Sequence, residues 1–220
     1  MTAGTARRLL VPGLMTLVML ATLLTLGTWQ VNRLLWKQEL LAAIAAGEQR
    51  PPVTLAESPP AFARVRAEGR FDPIVALYGA EVRGNSGGAR LLGILHRDGA
   101  PPVLVDRGWV PVPPPPVPAG PAAVEGFIRP AETAGAFAPA DDLAGRRFYT
   151  LNPAAIGRAL GVPDLAPYTL IAMGPPGIPD PARTLPRPPN NHLSYAITWY
   201  GLAIALLVVF ALYARKVLRP

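Results

Sequence analysis

Half of the 220 residues are apolar, cysteine is absent and the formal net charge is +7. Without cysteine there can be no disulfide, thiolate zinc site, iron–sulfur cluster or covalent C-x-x-C-H cofactor attachment. Nor does the charge point to nucleic acid: Arg7, Arg8, Arg215, Lys216 and Arg219 lie outside two long apolar runs with no acid beside them, and the basic residues between the runs nearly balance the acidic ones, the pattern of tails held on the cytoplasmic side of a membrane.

The first apolar run is uncharged over residues 9–32, and about 20 apolar residues cross a bilayer core. Arg7 and Arg8 would suit a signal peptide, but the run exceeds an ordinary signal core and no small-x-small site follows it until Ala43-x-Ala45, after Arg33 and Lys37 have intervened. An uncleaved anchor is therefore expected, and no Arg/Ser-rich amphipathic segment suggests a transit peptide. At its far end Trp29, Arg33 and Trp36 fall within roughly 60° of a helical wheel. They read either as interface anchors or as a cluster in which Arg33 meets an anionic ligand group. Residues 39–46 continue the helix, and Gly47 with Pro51-Pro52 is expected to end it.

Strand and turn patterns follow. Residues 62–71, 74–82, 91–97 and 103–110 are β-branched, aromatic or alternating, punctuated by Asp72-Pro73, Gly84-Asn85, Gly87-Gly88 and Asp98-Gly99. Asp98-Gly99-Ala100-Pro101 reads as a tight hairpin pairing 91–97 antiparallel with 103–110. In the latter strand Val103, Val105, Arg107 and Trp109 point one way and Leu104, Asp106 and Val110 the other; Arg107 and Trp109 form either a stacked platform or a structural cation–π pair. Pro113 to Pro116 is a stiff connector. Residues 123–129, 146–151 and 167–173 are further strands. Between the last two, Asn152 as cap, Pro153 at the first position and Gly161 past the end bound a two-turn helix. Residues 175–189 are an extended lead into the second apolar run.

The result is an α+β membrane protein: two transmembrane helices flanking an antiparallel, open-barrel-like β domain of about seven strands with one short helix. Its expected divisions are an N-terminal tail 1–8, a span 9–32, an extracytoplasmic domain 33–189, a second span 193–214 and a C-terminal tail 215–220. Catalytic constellations are weak. Neither G-x-S-x-G nor H-E-x-x-H occurs; Gly84 to Gly88 lacks the lysine of a phosphate loop; Asp141-Asp142 reads as a loop cap; His96 reads as structural. No enzyme is expected.

His192 differs from His96, for it opens the second apolar run. His192, Tyr195 and Trp199 share an arc of roughly 60°, a face that holds a flat ligand or packs on another helix. A titratable residue at the edge of a span is a functional candidate, and neutral imidazole is a common axial haem ligand, although a histidine so near the interface is also solvated cheaply.

Four blocks, in order, carry a resemblance. L-G-T-W-Q-V-N-R-L-L-W-K at 26–37, V-L-V-D-R-G-W-V-P at 103–111, V-E-G-F-I-R at 124–129 and N-N-H-L-S-Y-A-I-T-W-Y-G-L-A at 190–203 resemble the Surfeit locus protein 1 family, assembly factors of cytochrome c oxidase. The charge asymmetry of the tails predicts both termini cytoplasmic and the intervening domain outside, in the periplasm of a bacterial inner-membrane protein, and the resemblance implies a role in maturation of the haem a centres of oxidase subunit I. It implies non-covalent haem a with His192 as iron ligand, and partners that include subunit I, haem a synthase and membrane lipid. Trp29, Arg33, Tyr195 and Trp199 match family positions, and their place as pocket wall is inferred from their faces. The residue before R-G-W-V-P is commonly Asn in that family and is Asp106 here. The alternative is a haem-free scaffold that steadies an assembly intermediate by protein contact.

Overall fold

The computed structural model describes residues 3–185 and 187–219. Leucine and alanine dominate the N-terminal stretch, and both are strong helix formers. The chain accordingly runs as one helix, α1, over Ala3–Gln49, with Pro12 inside it. Gly47 does not end this helix. A side chain there would collide with the Phe62 carbonyl oxygen, so Gly47 is a close-approach glycine. The helix stops at Gln49 because Arg50 precedes Pro51, whose ring disfavours helical geometry in the residue before it.

The chain forms two compact units that divide within α1, between Ala42 and Ala43, and again just before Arg187. The first unit holds most of α1 together with the C-terminal helix. Both helices are long and apolar enough to cross a membrane, and only 6% and 11% of their most apolar windows is buried, which sets them apart from the core helices of a water-soluble fold.

The second unit is built on seven strands: β1 (Val53–Thr54), β2 (Arg64–Arg83), β3 (Ser86–Arg97), β4 (Ala100–Pro111), β5 (Gly120–Pro130), β6 (Arg147–Phe148) and β7 (Tyr168–Ala172). The number matches expectation by a different route. Residues 62–71 and 74–82 are one strand, since Asp72-Pro73 is a bulge and not a turn. Asp72 Oδ1 accepts the Ile74 N–H at 2.7 Å, and pairing with β3 resumes at Val75 after a register shift. Proline is tolerated at such a bulge because no ladder bond is asked of it. Gly87 and Gly88 likewise lie inside β3, whereas Gly84-Asn85 is the turn.

The sheet is mixed, which corrects the antiparallel expectation. β2·β3, β3·β4, β2·β5 and β5·β7 are antiparallel, but β1·β2, β2·β6 and β4·β7 are parallel. β2 is long enough to serve two partners: residues 64–71 pair with β5 and residues 70–83 with β3. The path β2-β3-β4-β7-β5 therefore returns to β2. The hairpin pairs β3 with β4 antiparallel as expected, but its turn is Asp98-Gly99 alone: Arg97 lies opposite Ala100, Ala100-Pro101 already belong to β4, and Gly99 is at φ +67°.

Alternation along the strands feeds two apolar clusters. Val103 and Val105 join Val65, Phe71, Leu95 and Leu170 in one; Leu104 joins Leu92, Ile94, Phe148 and Ile156 in the other. Helix α2 (Pro153–Leu160) covers the second. Asn152 Oδ1 accepts the Ala155 N–H at 3.1 Å, Pro153 occupies the first turn and Gly161 closes the helix at φ 80°, each as its residue type prescribes. The C-terminal helix α3 spans His192–Leu218, one residue earlier and four later than the expected span.

Candidate functional site

Within the first unit, the contacts show that the two helices run antiparallel. Tyr213 donates its hydroxyl to the Arg8 carbonyl at 3.0 Å, Phe210 lies beside Gly13, and the Tyr200 hydroxyl meets Thr28 Oγ1 at 3.1 Å. A Cβ on Gly27 would come within 2.9 Å of the Tyr200 ring. The stripe Leu23, Gly27, Gln30 on α1 and the alanines Ala196 and Ala203 on α3 are buried, at helical spacings that keep each set on one face.

His192 stands one turn before Ala196 on that face. Its Nδ1 is 2.7 Å from Gln30 Oε1, and the Trp29 ring approaches it edge-on, with centroids 6.4 Å apart and planes at 86°. Of the expected residues, the structure thus brings Trp29 and His192 together, at one level of the helix pair. Tyr195 is 55% exposed on the flank and Trp29 is 54% exposed; Trp199 is half-buried. Arg33 lies over the Trp36 ring, 4.0 Å from its centroid, and has no carboxylate partner among the described residues. Gln30 was missed in the sequence. The signal was present: a polar amide near the end of an apolar run, only 9% exposed in the fold, must find a partner or carry a desolvation cost.

The residue types gathered here are those that would hold an iron porphyrin through a single imidazole. No group of three His, Asp or Glu suited to a bare metal ion occurs among the described residues, and such a porphyrin needs a single imidazole, aromatic surface and a cation toward its carboxylates. His192, Trp29, Tyr195 and Arg33 are residues of those kinds.

In the second unit Arg107 and Trp109 do not form a shared platform. The β4 ladder shifts register between Asp106 and Gly108, which breaks the alternation that the sequence implied. Gly108, at φ +124°, is the residue that allows it, and a side chain there would collide with the Asp180 backbone. Arg107 lies over the Phe71 ring at 4.1 Å and donates to the Pro118 carbonyl at 3.1 Å; burial lowers its pKa. Trp109 packs over Gly88, donates Nε1–H to the Glu81 carbonyl at 3.1 Å and lies under Arg83 at 5.2 Å. The segment around Asp180 bonds to it through both backbone groups at 2.8 Å.

Asp106 is 0% exposed, accepts from the Gly108 N–H at 3.1 Å and pairs with Arg90. Burial pushes its pKa above the usual carboxylate range against the pull of Arg90. Arg183 and Arg83 hold Asp180 below that range. His96 meets Asp72 at 3.2 Å, half-exposed, and Asp141 and Asp142 accept backbone N–H groups of Tyr149 and Gly145, all as expected of structural residues.

A mixed-sheet domain joined to two helices of membrane-crossing length, with a histidine-bearing contact between those helices, is the class of protein that these features define. The chain belongs to the SURF1 family, whose family model matches residues 17–204. It is 30% identical to the SURF1-like protein of Rickettsia conorii, over 88% of this chain and 87% of that one. It is 27% identical to Surfeit locus protein 1 of Takifugu rubripes, over 90% and 95% of the two chains, and 27% identical to that of Mus musculus, over 84% and 70%.

Proposed function

We propose that this protein is an assembly factor for haem-copper cytochrome c oxidase that holds haem a at His192 and aids its insertion into oxidase subunit I. In this reading α1 and α3 anchor it in the bacterial inner membrane, both tails are cytoplasmic and the sheet domain is periplasmic. Haem a synthase supplies the cofactor and subunit I receives it. The protein performs no chemistry of its own. The observation that carries the reading is the His192 contact, an imidazole beside Trp29 at the start of an apolar helix, in a chain of this family. His192 would supply the nitrogen that holds the iron, Trp29, Tyr195 and Trp199 would supply apolar surface, and Arg33 would supply a cation for the propionates. When bound, haem a brings the iron and an apolar macrocycle that must be kept from water.

The same packing favours a second reading, because a histidine hydrogen-bonded to glutamine between two helices is also a structural tie. On that reading the protein is a haem-free scaffold that stabilises a subunit I intermediate. Co-expression with a haem a synthesis pathway separates the two. The purified protein should show a Soret band that His192→Ala abolishes or strongly alters while the chain still inserts; a wild-type spectrum and haem stoichiometry in His192→Ala would leave the scaffold. Topology is tested by reporters after residue 100 and at the C-terminus, which should report opposite compartments.

A further inference from the structure

We propose that Gln30 is the positioning residue that makes His192 a one-ended ligand. It takes the Nδ1 proton in a hydrogen bond, fixes the neutral ring as the Nδ1–H tautomer and leaves the Nε2 lone pair as the ligating atom. The proposal rests on the haem-holding reading above and adds to it the residue that selects the ligating nitrogen.

An amide oxygen can only accept, so the 2.7 Å contact between Gln30 Oε1 and His192 Nδ1 puts a proton on Nδ1. Which ring nitrogen is protonated is set by the hydrogen bond that the other atoms demand, and a neutral histidine free in water prefers the opposite tautomer, Nε2–H, which offers Nδ1 to a metal. Gln30 reverses that preference. It is held to do so: Gln30 is only 9% exposed, and at that burial an acceptor without a partner is costly. The Trp29 ring stands edge-on to the imidazole, with centroids 6.4 Å apart. Further along the same helix pair, the Thr28–Tyr200 hydroxyl contact and the absence of a side chain at Gly27, against which Tyr200 packs, fix the register that sets position 30 opposite position 192. A histidine that ligates a metal is commonly held by such an outer hydrogen bond, and removal of the partner typically costs about 10- to 100-fold in affinity.

The test uses the full chain in lipid nanodiscs with ¹⁵N-labelled histidine, and iron protoporphyrin IX as the probe. The chain has two histidines, so a His96→Asn variant assigns the signals of His192. In the porphyrin-free protein the ¹⁵N shifts of His192 should report a protonated Nδ1 and a bare Nε2. In Gln30→Leu the Nε2–H form should take over, porphyrin affinity should fall about 10- to 100-fold, and the iron–histidine stretch of the ferrous complex should move to lower frequency. Gln30→Glu, which can only accept, should restore Nδ1–H and carry that stretch above the wild-type value. Wild-type shifts and affinity in Gln30→Leu overturn the proposal; if His192→Ala then loses the porphyrin, the functional reading stands without it. Retention of the porphyrin by His192→Ala overturns both. Should Gln30→Leu fail to insert, the wild-type shifts decide alone, and an Nε2–H ring in the wild type overturns the proposal.

Discussion

Replacing Arg90 by leucine should cost the sheet domain more than replacing Asp106 by asparagine. Asp106 is fully buried, and its polar partners are Arg90 and the Gly108 N–H. Removing the cation leaves a buried carboxylate with one hydrogen bond, a defect worth about 3–5 kcal/mol. Asp106→Asn instead removes the buried charge and keeps an oxygen for Gly108, while Arg90, 19% exposed along its side chain, still reaches water; its cost should stay under about 2 kcal/mol. The assay is urea unfolding of the full chain in detergent, followed by Trp109 fluorescence with Trp29, Trp36 and Trp199 replaced by Phe. With a slope of about 2 kcal/mol/M, Arg90→Leu should lower the midpoint by roughly 1.5–2.5 M. The effect should depend on pH in a set direction. Burial already holds the Asp106 pKa above its unfolded value, so the folded state binds more protons than the unfolded state in the window between the two, and stability from this group falls as pH rises through that window. Loss of Arg90 raises the folded value further, so the penalty should shrink from pH 7 toward pH 5. A penalty equal to that of Asp106→Asn, or one independent of pH, would refute the reasoning.

Three other outcomes are expected. Asn152→Ala removes the cap on Ala155 N–H and a second bond to the Glu132 carbonyl at 3.0 Å, and should destabilise the domain by about 1–2 kcal/mol in the same urea assay. Gly27→Val sets bulk against the Tyr200 ring and should abolish short-reagent cross-linking between cysteines introduced at positions 13 and 210, in a chain that otherwise has no cysteine. Asp180, held low by Arg183 and Arg83, contributes stability that is present above the ordinary carboxylate pKa of about 3.9 and lost as pH falls through its lowered folded value. Acrylamide quenching of Trp109, to which that segment is bonded, should therefore rise only under acid below that range.

What the sequence determined by itself was whatever short-range chemistry governs. The length of two apolar runs was enough for α1 and α3. Asn152, Pro153 and Gly161 delimited α2 to the residue, because caps are satisfied within one turn. Asp98-Gly99 set the β3–β4 hairpin, because a two-residue turn brings its flanking strands side by side, although the ladder shifts register at once between Leu95 and Arg97. His192 and Trp29 were legible as candidates from helical spacing at the ends of those runs. Tertiary structure decided the rest. Asp72-Pro73 looked like a turn, yet β2 passes through it as a bulge because β3 and β5 supply bonding partners on either side, which no local signal reveals. One of the parallel pairs that make the sheet mixed arises because β7 lies between β4 and β5, joining residues such as Leu104 and Thr169 that are far apart in the chain. Arg107 and Trp109 found separate partners, Phe71 and Arg83, once the Gly108 register shift had broken the alternation. Gln30 became a residue of the site only when Gly27, three residues before it in the same apolar run of α1, let Tyr200 close in and bring His192 within hydrogen-bond reach; the acceptor was written in the chain, but its donor lies 162 residues away.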